Sequence, residues 1–300
     1  MKTKKNTVSI GIPAYNEAAN VAKLLSSLIG QEGEFEMKEI KVVCDGCEDE
    51  TAKLARAVPG GRGIVKVIEG RERMGKSARL NQIYESASGD ILVTLDGDTL
   101  INDKHFIEKL IGLIEDGLYE IVSNRQKPVK PESFFERVLY TGMSIRDEIV
   151  EKYKRGDNIY TCHGMSRAHS KRFYRKFRLP EVVAEDAYCY LWSKDNGMGY
   201  GYVKNAVNYY KIPSSLVDHA RQSVRFFQAQ EGLKNYFGEK KVVEAHRLPF
   251  VLSAQITAKF LMKKPLETIV YMFIRMLMKL RSLFGNTEAK WQVAVSTKKY

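Results

Sequence analysis

Short apolar runs alternate with helical patterns through the first 125 residues, and this alternation restricts the fold more than any other feature of the chain. TVSIGI (7–12), EIKVVC (39–44), GIVKVI (63–68), DILVTL (90–95) and LYEIVS (118–123) are rich in Val and Ile and nearly continuous. Strands buried on both faces read this way. Between them, Ala18–Ile29, Thr51–Ala57, Lys76–Ala87 and Lys104–Glu115 repeat apolar residues at helical spacing. The pattern predicts an α/β fold, a Rossmann-like, mostly parallel sheet flanked by helices. No repeat or low-complexity linker divides it, so we expect one domain over residues 1–245 and a helical extension over 246–300. Ligands of such sheets bind beyond the carboxyl ends of the strands. Those ends carry PAYNE (13–17), CDGCED (44–49) and DGD (96–98).

A 44% apolar, 28% charged chain of 300 residues is globular rather than disordered. Its charge is uneven: residues 1–120 carry −4 and residues 121–300 carry +16, which sum to +12. A basic half calls for an anionic partner such as nucleotide phosphate, nucleic acid or an acidic membrane face. Lys2, Lys4 and Lys5 precede a short apolar run that meets Pro13 and Glu17 without a small-residue cleavage site, so we expect no signal peptide and a cytoplasmic protein. Cys44 and Cys47 form a C-x-x-C. A zinc site needs a second closely spaced pair, and Cys162 and Cys189 do not supply one. A redox dithiol remains open, because EIKVVC reads as the strand such a motif follows.

The sharpest chemical pattern is ILVTLDGDTLI, in which Asp96 and Asp98 flank Gly97 at a strand end. Two carboxylates so spaced can grip one hard divalent cation and leave positions open for phosphate oxygens. A solvated Asp-Gly turn is the bland alternative. Context decides between them. VSIGIPAYNEAANVAKLL, VVCDGCEDET, GKSARLN, LDGD, VVAEDAY and RQSVRFF follow one another in the order found in family 2 glycosyltransferases of the GT-A fold, and the resemblance runs from about residue 7 to 230.

That resemblance implies an inverting transferase that moves a sugar from a nucleotide-diphosphate donor, UDP-linked by preference, to a hydroxyl acceptor in glycan, polysaccharide or glycolipid synthesis. Pro13, Tyr15, Glu17, Asp45, Lys76 and Asp96 match donor positions, with Asp45 facing the nucleobase and Tyr15 lying against it. Asp96 and Asp98 match the carboxylates that hold Mg2+ or Mn2+. Asp186 of the Glu185-Asp186 pair matches the catalytic base, which takes the acceptor proton from the face opposite the leaving group. Gln222 and Arg225 stand one helical turn apart in Q-x-x-R, and Phe226 replaces the family's Trp, keeping a ring but losing the indole N–H. His163 and Gly164 fall where the family lines its acceptor site. The acceptor itself is left open between a glycan and a lipid-linked molecule. The reading that competes with all of this is a nucleotide- or nucleic-acid-binding protein without transfer activity, which would need no base.

KRFYRKFR (171–178) interleaves cations with rings, yet no nucleic-acid motif accompanies it, so nucleic acid is not the expected partner. In PLETIVYMFIRMLMKLRSLFG (265–285), Leu266, Ile269, Phe273, Met276, Leu277, Leu280 and Phe284 share one helical face. Arg275 breaks the run, so a bilayer span is not expected. Two readings stand level: a helix lying on the anionic inner face of a membrane, or one packed on the domain's own core.

Overall fold

The computed structural model describes residues 5–284, with the side chains of 224–229 and 281–284 outside that description. Its centre is a seven-stranded sheet in the order β3-β2-β1-β4-β6-β5-β7. The strands are β1 (Asn6–Ala14), β2 (Phe35–Asp45), β3 (Val65–Gly70), β4 (Ile91–Leu95), β5 (Ile121–Pro128), β6 (Ser166–Ser170) and β7 (Tyr200–Tyr210). β1, β2, β3 and β4 pair in parallel, as does β5 with β7, while β6 runs antiparallel to both its neighbours. The sheet is therefore mixed, and the parallel part is the part the apolar runs announced.

The helices lie on both faces. On one, α1 (Val21–Ile29), α2 (Thr51–Arg56) and α4 (Phe106–Glu115) bury their apolar stripes against Val8, Ile10, Ile12, Ile40, Val42 and Val93. On the other, α3 (Lys76–Ser86), α6 (Lys171–Lys176) and α7 (Glu185–Asp195) pack around Val43, Leu92 and Ile121. Continuous β4, ILVTL, is buried at every position because both faces are covered.

The 19-residue helix α5 (Phe134–Lys152) starts at a capping box, in which the Ser133 hydroxyl accepts from the Glu136 N–H and Glu136 accepts from the Ser133 N–H. One side of it carries the C-terminal helices. α8 (Leu216–Phe237) is followed by α9 (Glu239–His246), α10 (Phe250–Lys263) and α11 (Pro265–Phe284). Ile145 and Ile149 of α5 bury Ile256 of α10, and Val138 buries Ile274 and Met278 of α11. The expected stripe on α11 faces the other way: Leu266, Ile269, Phe273, Met276, Leu277 and Leu280 are exposed, and Phe284 lies outside the described side chains. So α11 packs on the core with one side and offers an apolar stripe to the surroundings with another. Among the described residues, no helix is long and apolar enough to cross a membrane.

Candidate active site

Three strand ends and two helix starts converge on a cleft of about 350 Å³. β4 delivers the D-x-D turn, where the Asp96 N–H donates to the Met165 carbonyl at 2.9 Å. The turn is thus fastened to the segment leading into β6. Gly97 leaves room for a neighbouring side chain, since a Cβ there would stand 2.7 Å from Cγ of Glu17. The PAYNE and DGD segments, 80 residues apart in sequence, are pressed together at this point.

Lys76, at the start of α3, ties the two acidic elements together. Its ammonium lies 2.7 Å from Asp96 Oδ1 and 2.6 Å from Glu185 Oε1. Burial disfavours that charge, but Asp96 and Glu185 outweigh it and hold Lys76 above its ordinary value. Gly164 completes the junction, because a Cβ on it would meet Glu185 Oε1 at 2.6 Å and Lys76 Nζ at 3.0 Å. Only glycine lets the chain pass this close to the ion pair.

Asp186 follows Glu185 in the first turn of α7, where the helix dipole favours anions. Its Oδ1 accepts the Ala187 N–H at 2.7 Å. Burial and the neighbouring Glu185 raise its proton affinity, while Arg167 and Lys76 oppose them. A carboxylate poised in this way suits general-base work.

Asp98 is pushed up to about 7 by burial, with the charges of Asp96 and Glu17 adding to it. Such crowded negative charge, all on hard oxygen donors, fits a divalent cation of the Mg2+ or Mn2+ kind. Asp96 and Asp98 are the residues that would hold it. Among the described residues no group of three or more His, Cys, Asp or Glu side chains is arranged around one point, so the remaining positions would belong to phosphate oxygens and water.

The cleft brings Lys76, Asp96, His163, Gly164, Glu185, Asp186 and Gln222 together. Burial drives His163 down to about 3, helped by the charges of Arg146 and Arg167, so its imidazole is neutral there. The side chains of Arg225 and Phe226 lie outside the described residues. Pro13 stands in β1, paired with Val43.

Tyr15 and Asp45 form a separate neighbourhood at the β1 and β2 ends. Both Asp45 oxygens are engaged by the protein, accepting from the Met74 N–H at 2.7 Å, the Gly75 N–H at 2.9 Å and Arg79 Nε at 2.9 Å. Arg73 of the same loop lies 4.0 Å over the Tyr15 ring. Asp45 therefore anchors the 71–75 loop ahead of α3, a role its motif did not suggest.

Sequence reasoning missed Arg146 and Met143, which α5 sends into the cleft, and also Tyr160, Tyr210 and His246. It also missed Arg167 on β6, a fully buried guanidinium whose three nitrogens find no hydrogen-bond partner among the described residues, and Tyr84 Oη, which finds none among them either. A single cation inside a β-strand or helix leaves no periodic signal.

Comparison with known proteins agrees with this geometry. The sequence profile described as glycosyl transferase family 2 matches residues 9–176. A glycosyltransferase of Haloferax volcanii, AglD, is 30% identical over 38% of this chain and 18% of its own length. An undecaprenyl-phosphate 4-deoxy-4-formamido-L-arabinose transferase of Proteus mirabilis is 28% identical over 54% of each chain. The chain thus spans about half, or less, of these relatives. Among solved structures, a mannosyltransferase of Pyrobaculum calidifontis in complex with GDP-Man and Mn2+ superposes with a TM-score of 0.60 at 16% identity, over 95% of this chain and 77% of that one. A glucosyl-3-phosphoglycerate synthase of Mycobacterium tuberculosis, in complex with Mn2+, UDP and phosphoglyceric acid, gives 0.55 at 19% identity, over 78% and 79%. With the family profile covering more than half of the chain and a GT-A sheet beneath the cleft, the protein belongs to glycosyl transferase family 2.

Proposed function

We propose that the protein transfers a sugar from a UDP-linked donor to a hydroxyl of a lipid-linked acceptor, with inversion at the anomeric carbon. The observation that carries the transfer reaction is the Lys76 bridge, which holds the D-x-D carboxylate Asp96 and the Glu185-Asp186 pair on one cleft. A binder without transfer activity needs no second carboxylate pair facing the first. A divalent cation on Asp96 and Asp98, when bound, would offset the charge that develops on the departing nucleotide. Lys76 adds a positive charge on the same side. Asp186 takes the acceptor proton, and one displacement from the opposite face inverts the centre. Tyr15 and Asp45 take the nucleobase once the 71–75 loop yields its contacts to them. Gln222, Arg225 and Phe226 complete the channel from α8, and His163 lines the acceptor side as a neutral donor or acceptor.

The lipid-linked acceptor is favoured by where α5 lies. One side of this helix gives Met143 and Arg146 to the cleft, and another carries α10 and α11 with their exposed apolar stripe. Lys263, Arg275 and Lys279 stand on the same two helices, and Lys264 on the joint between them. An interfacial helix pair of this composition would rest on anionic lipid and bring the cleft to the membrane surface. The α5-borne clusters are separate from the two sheet-face cores, which supports treating residues 246–300 as an extension of the 1–245 domain.

The test is a thermal-shift panel of UDP, GDP and their sugars with and without Mn2+, run on the wild type and on Asp98→Ala. Metal-dependent stabilisation by UDP and its sugars that Asp98→Ala loses is the expected result. Stabilisation by GDP alone would replace the donor. No response to any nucleotide would sink the reading.

A further inference from the structure

The C-x-x-C that opens the β2 turn is not absorbed by the transfer chemistry. Cys44 pairs with Ala14 in the sheet, and the Cys47 thiol donates to the Ala14 carbonyl at 3.4 Å, so both cysteines sit against the same residue. Cys44 is buried, while Cys47 is partly open to solvent. Between them sit Asp45, which holds the 71–75 loop, and Gly46, whose φ of +66° favours glycine. A Cβ on Gly46 would meet the Arg73 nitrogen at 3.0 Å, so turn and loop are in contact. The next residue, Glu48, donates its N–H to Asn16 Oδ1 at 2.9 Å, beside Tyr15. Any movement of this turn is transmitted to the expected base site on two sides.

We propose that Cys44 and Cys47 are a reversible thiol-modification site, closing to a disulfide in the presence of a low-molecular-weight disulfide and thereby weakening nucleotide binding; the ligand half of this rests on the donor site proposed above. Cys47 thiolate attacks one sulfur of the external disulfide and expels a thiolate, leaving a mixed disulfide on Cys47. Cys44 sulfur then attacks Cys47 Sγ, its proton leaving with the second expelled thiol. Two protein thiols are oxidised and one external disulfide is reduced to two thiols. The neighbouring Cys44 thiol, with a smaller share from the Asn16 backbone, lowers the Cys47 thiol to about 7 against the cost of its burial. An attacking thiol with that value near ambient pH exchanges well. Drawing the two sulfurs to a bond of about 2.05 Å takes Cys47 off the Ala14 carbonyl and shifts the turn that carries Asp45.

The other two cysteines supply an internal control. Cys162 and Cys189 are both buried, and burial first of all raises Cys162 far above a reactive range. They should stay reduced under the same treatment.

The experiment uses the full chain, treated with oxidised glutathione or with dithiothreitol. Intact mass and peptide mapping read the bond, hydrogen exchange reads residues 71–75, and calorimetry with UDP and Mn2+ reads affinity. We expect the Cys44–Cys47 bond, faster exchange at Met74 and Gly75, and UDP binding weakened by about tenfold, the factor set by ~1.4 kcal/mol of lost contact. Dithiothreitol should restore all three. Cys47→Ser should bring the ratio of reduced to oxidised affinity to one, and the Cys162→Ser/Cys189→Ser double variant should keep it. Absence of the bond, or a bond with unchanged exchange at 71–75, overturns the inference. A reduced protein that binds no UDP refutes the donor reading instead, while mass and exchange still decide on the thiol pair.

Discussion

Replacing Lys76 by Met removes a side chain that bonds both Asp96 and Glu185. The lysine side chain is 13% exposed and its partners 23% and 8%, so both carboxylates would be left in poor solvent with their counter-ion gone. Breaking a buried pair on one side typically costs about 3–5 kcal/mol. For a chain of this size each kcal/mol lowers the melting temperature by roughly 2–4 °C, so Lys76→Met should melt roughly 6–20 °C lower. The deficit should depend on pH. Burial raises Asp96 in the folded state, and without Lys76 it would rise further, so the folded protein holds its proton more tightly than the unfolded chain does. Stability of the variant therefore falls as pH rises and recovers as pH falls. Differential scanning fluorimetry of both proteins at pH 6 and pH 8 measures this, and Mn2+ should stabilise the variant more than the wild type, since a cation on Asp96 replaces the lost charge. Equal melting temperatures at pH 8, or a larger gap at pH 6 than at pH 8, would refute the reasoning.

Asp186→Asn should bind UDP and Mn2+ as the wild type does but turn over ~10²–10⁴-fold more slowly, read as kcat with a competent donor; an unchanged kcat removes Asp186 as the base. Gly164→Val should separate Lys76 from Glu185 and lower donor affinity, and wild-type affinity would show that the close approach is incidental. Glu39, buried on β2, is held at about 2 by Lys66, Ser88 and Ser9 against a burial cost that alone would raise it. Its depressed value adds stability that is fully present above its ordinary 4.5 and is lost as pH falls towards 2, so acid unfolding of Glu39→Gln should lack that step; the gap corresponds to roughly 3 kcal/mol at neutral pH. Ile269→Ser, Phe273→Ser and Met276→Ser together should abolish binding to vesicles of anionic phospholipid while leaving the circular dichroism unchanged, and retained binding would leave the α11 stripe without that partner.

β1, β4 and the end of β2 were legible because they are buried on both faces, where composition and position coincide, whereas GIVKVI, expected to be buried, forms the half-exposed edge strand β3. β6 was legible only as a place in the resemblance. Its sequence, SRAHS, holds Ser166, Arg167 and His169 at zero exposure, so a central strand is written in polar residues and periodicity cannot find it. The strand 118–123 likewise runs on to Pro128 through polar NRQKP, which pairs with β7 instead of burying apolar area. The acidic pairs were readable at their spacing, whereas Arg79, Arg146 and Arg167 act through packing partners that lie far away in sequence. For α11, spacing gave the stripe correctly but not the side that would be covered, since Thr268, Ile274 and Met278 form a second face good enough to bury.

The place of β6 bears on how the fold comes to exist at all. β4 and β5 are joined through α4, yet they are not neighbours in the sheet, because residues 166–170 lie between them. A growing chain that has made both strands must hold that slot open until about 40 more residues, α5 included, have followed. Asp96 donates its backbone N–H to the Met165 carbonyl, at the lip of the same slot. The D-x-D turn is therefore finished only once residue 165 has been made, and a nascent or truncated chain ending before it would carry the D-x-D letters without its shape and would expose two strand edges to other chains.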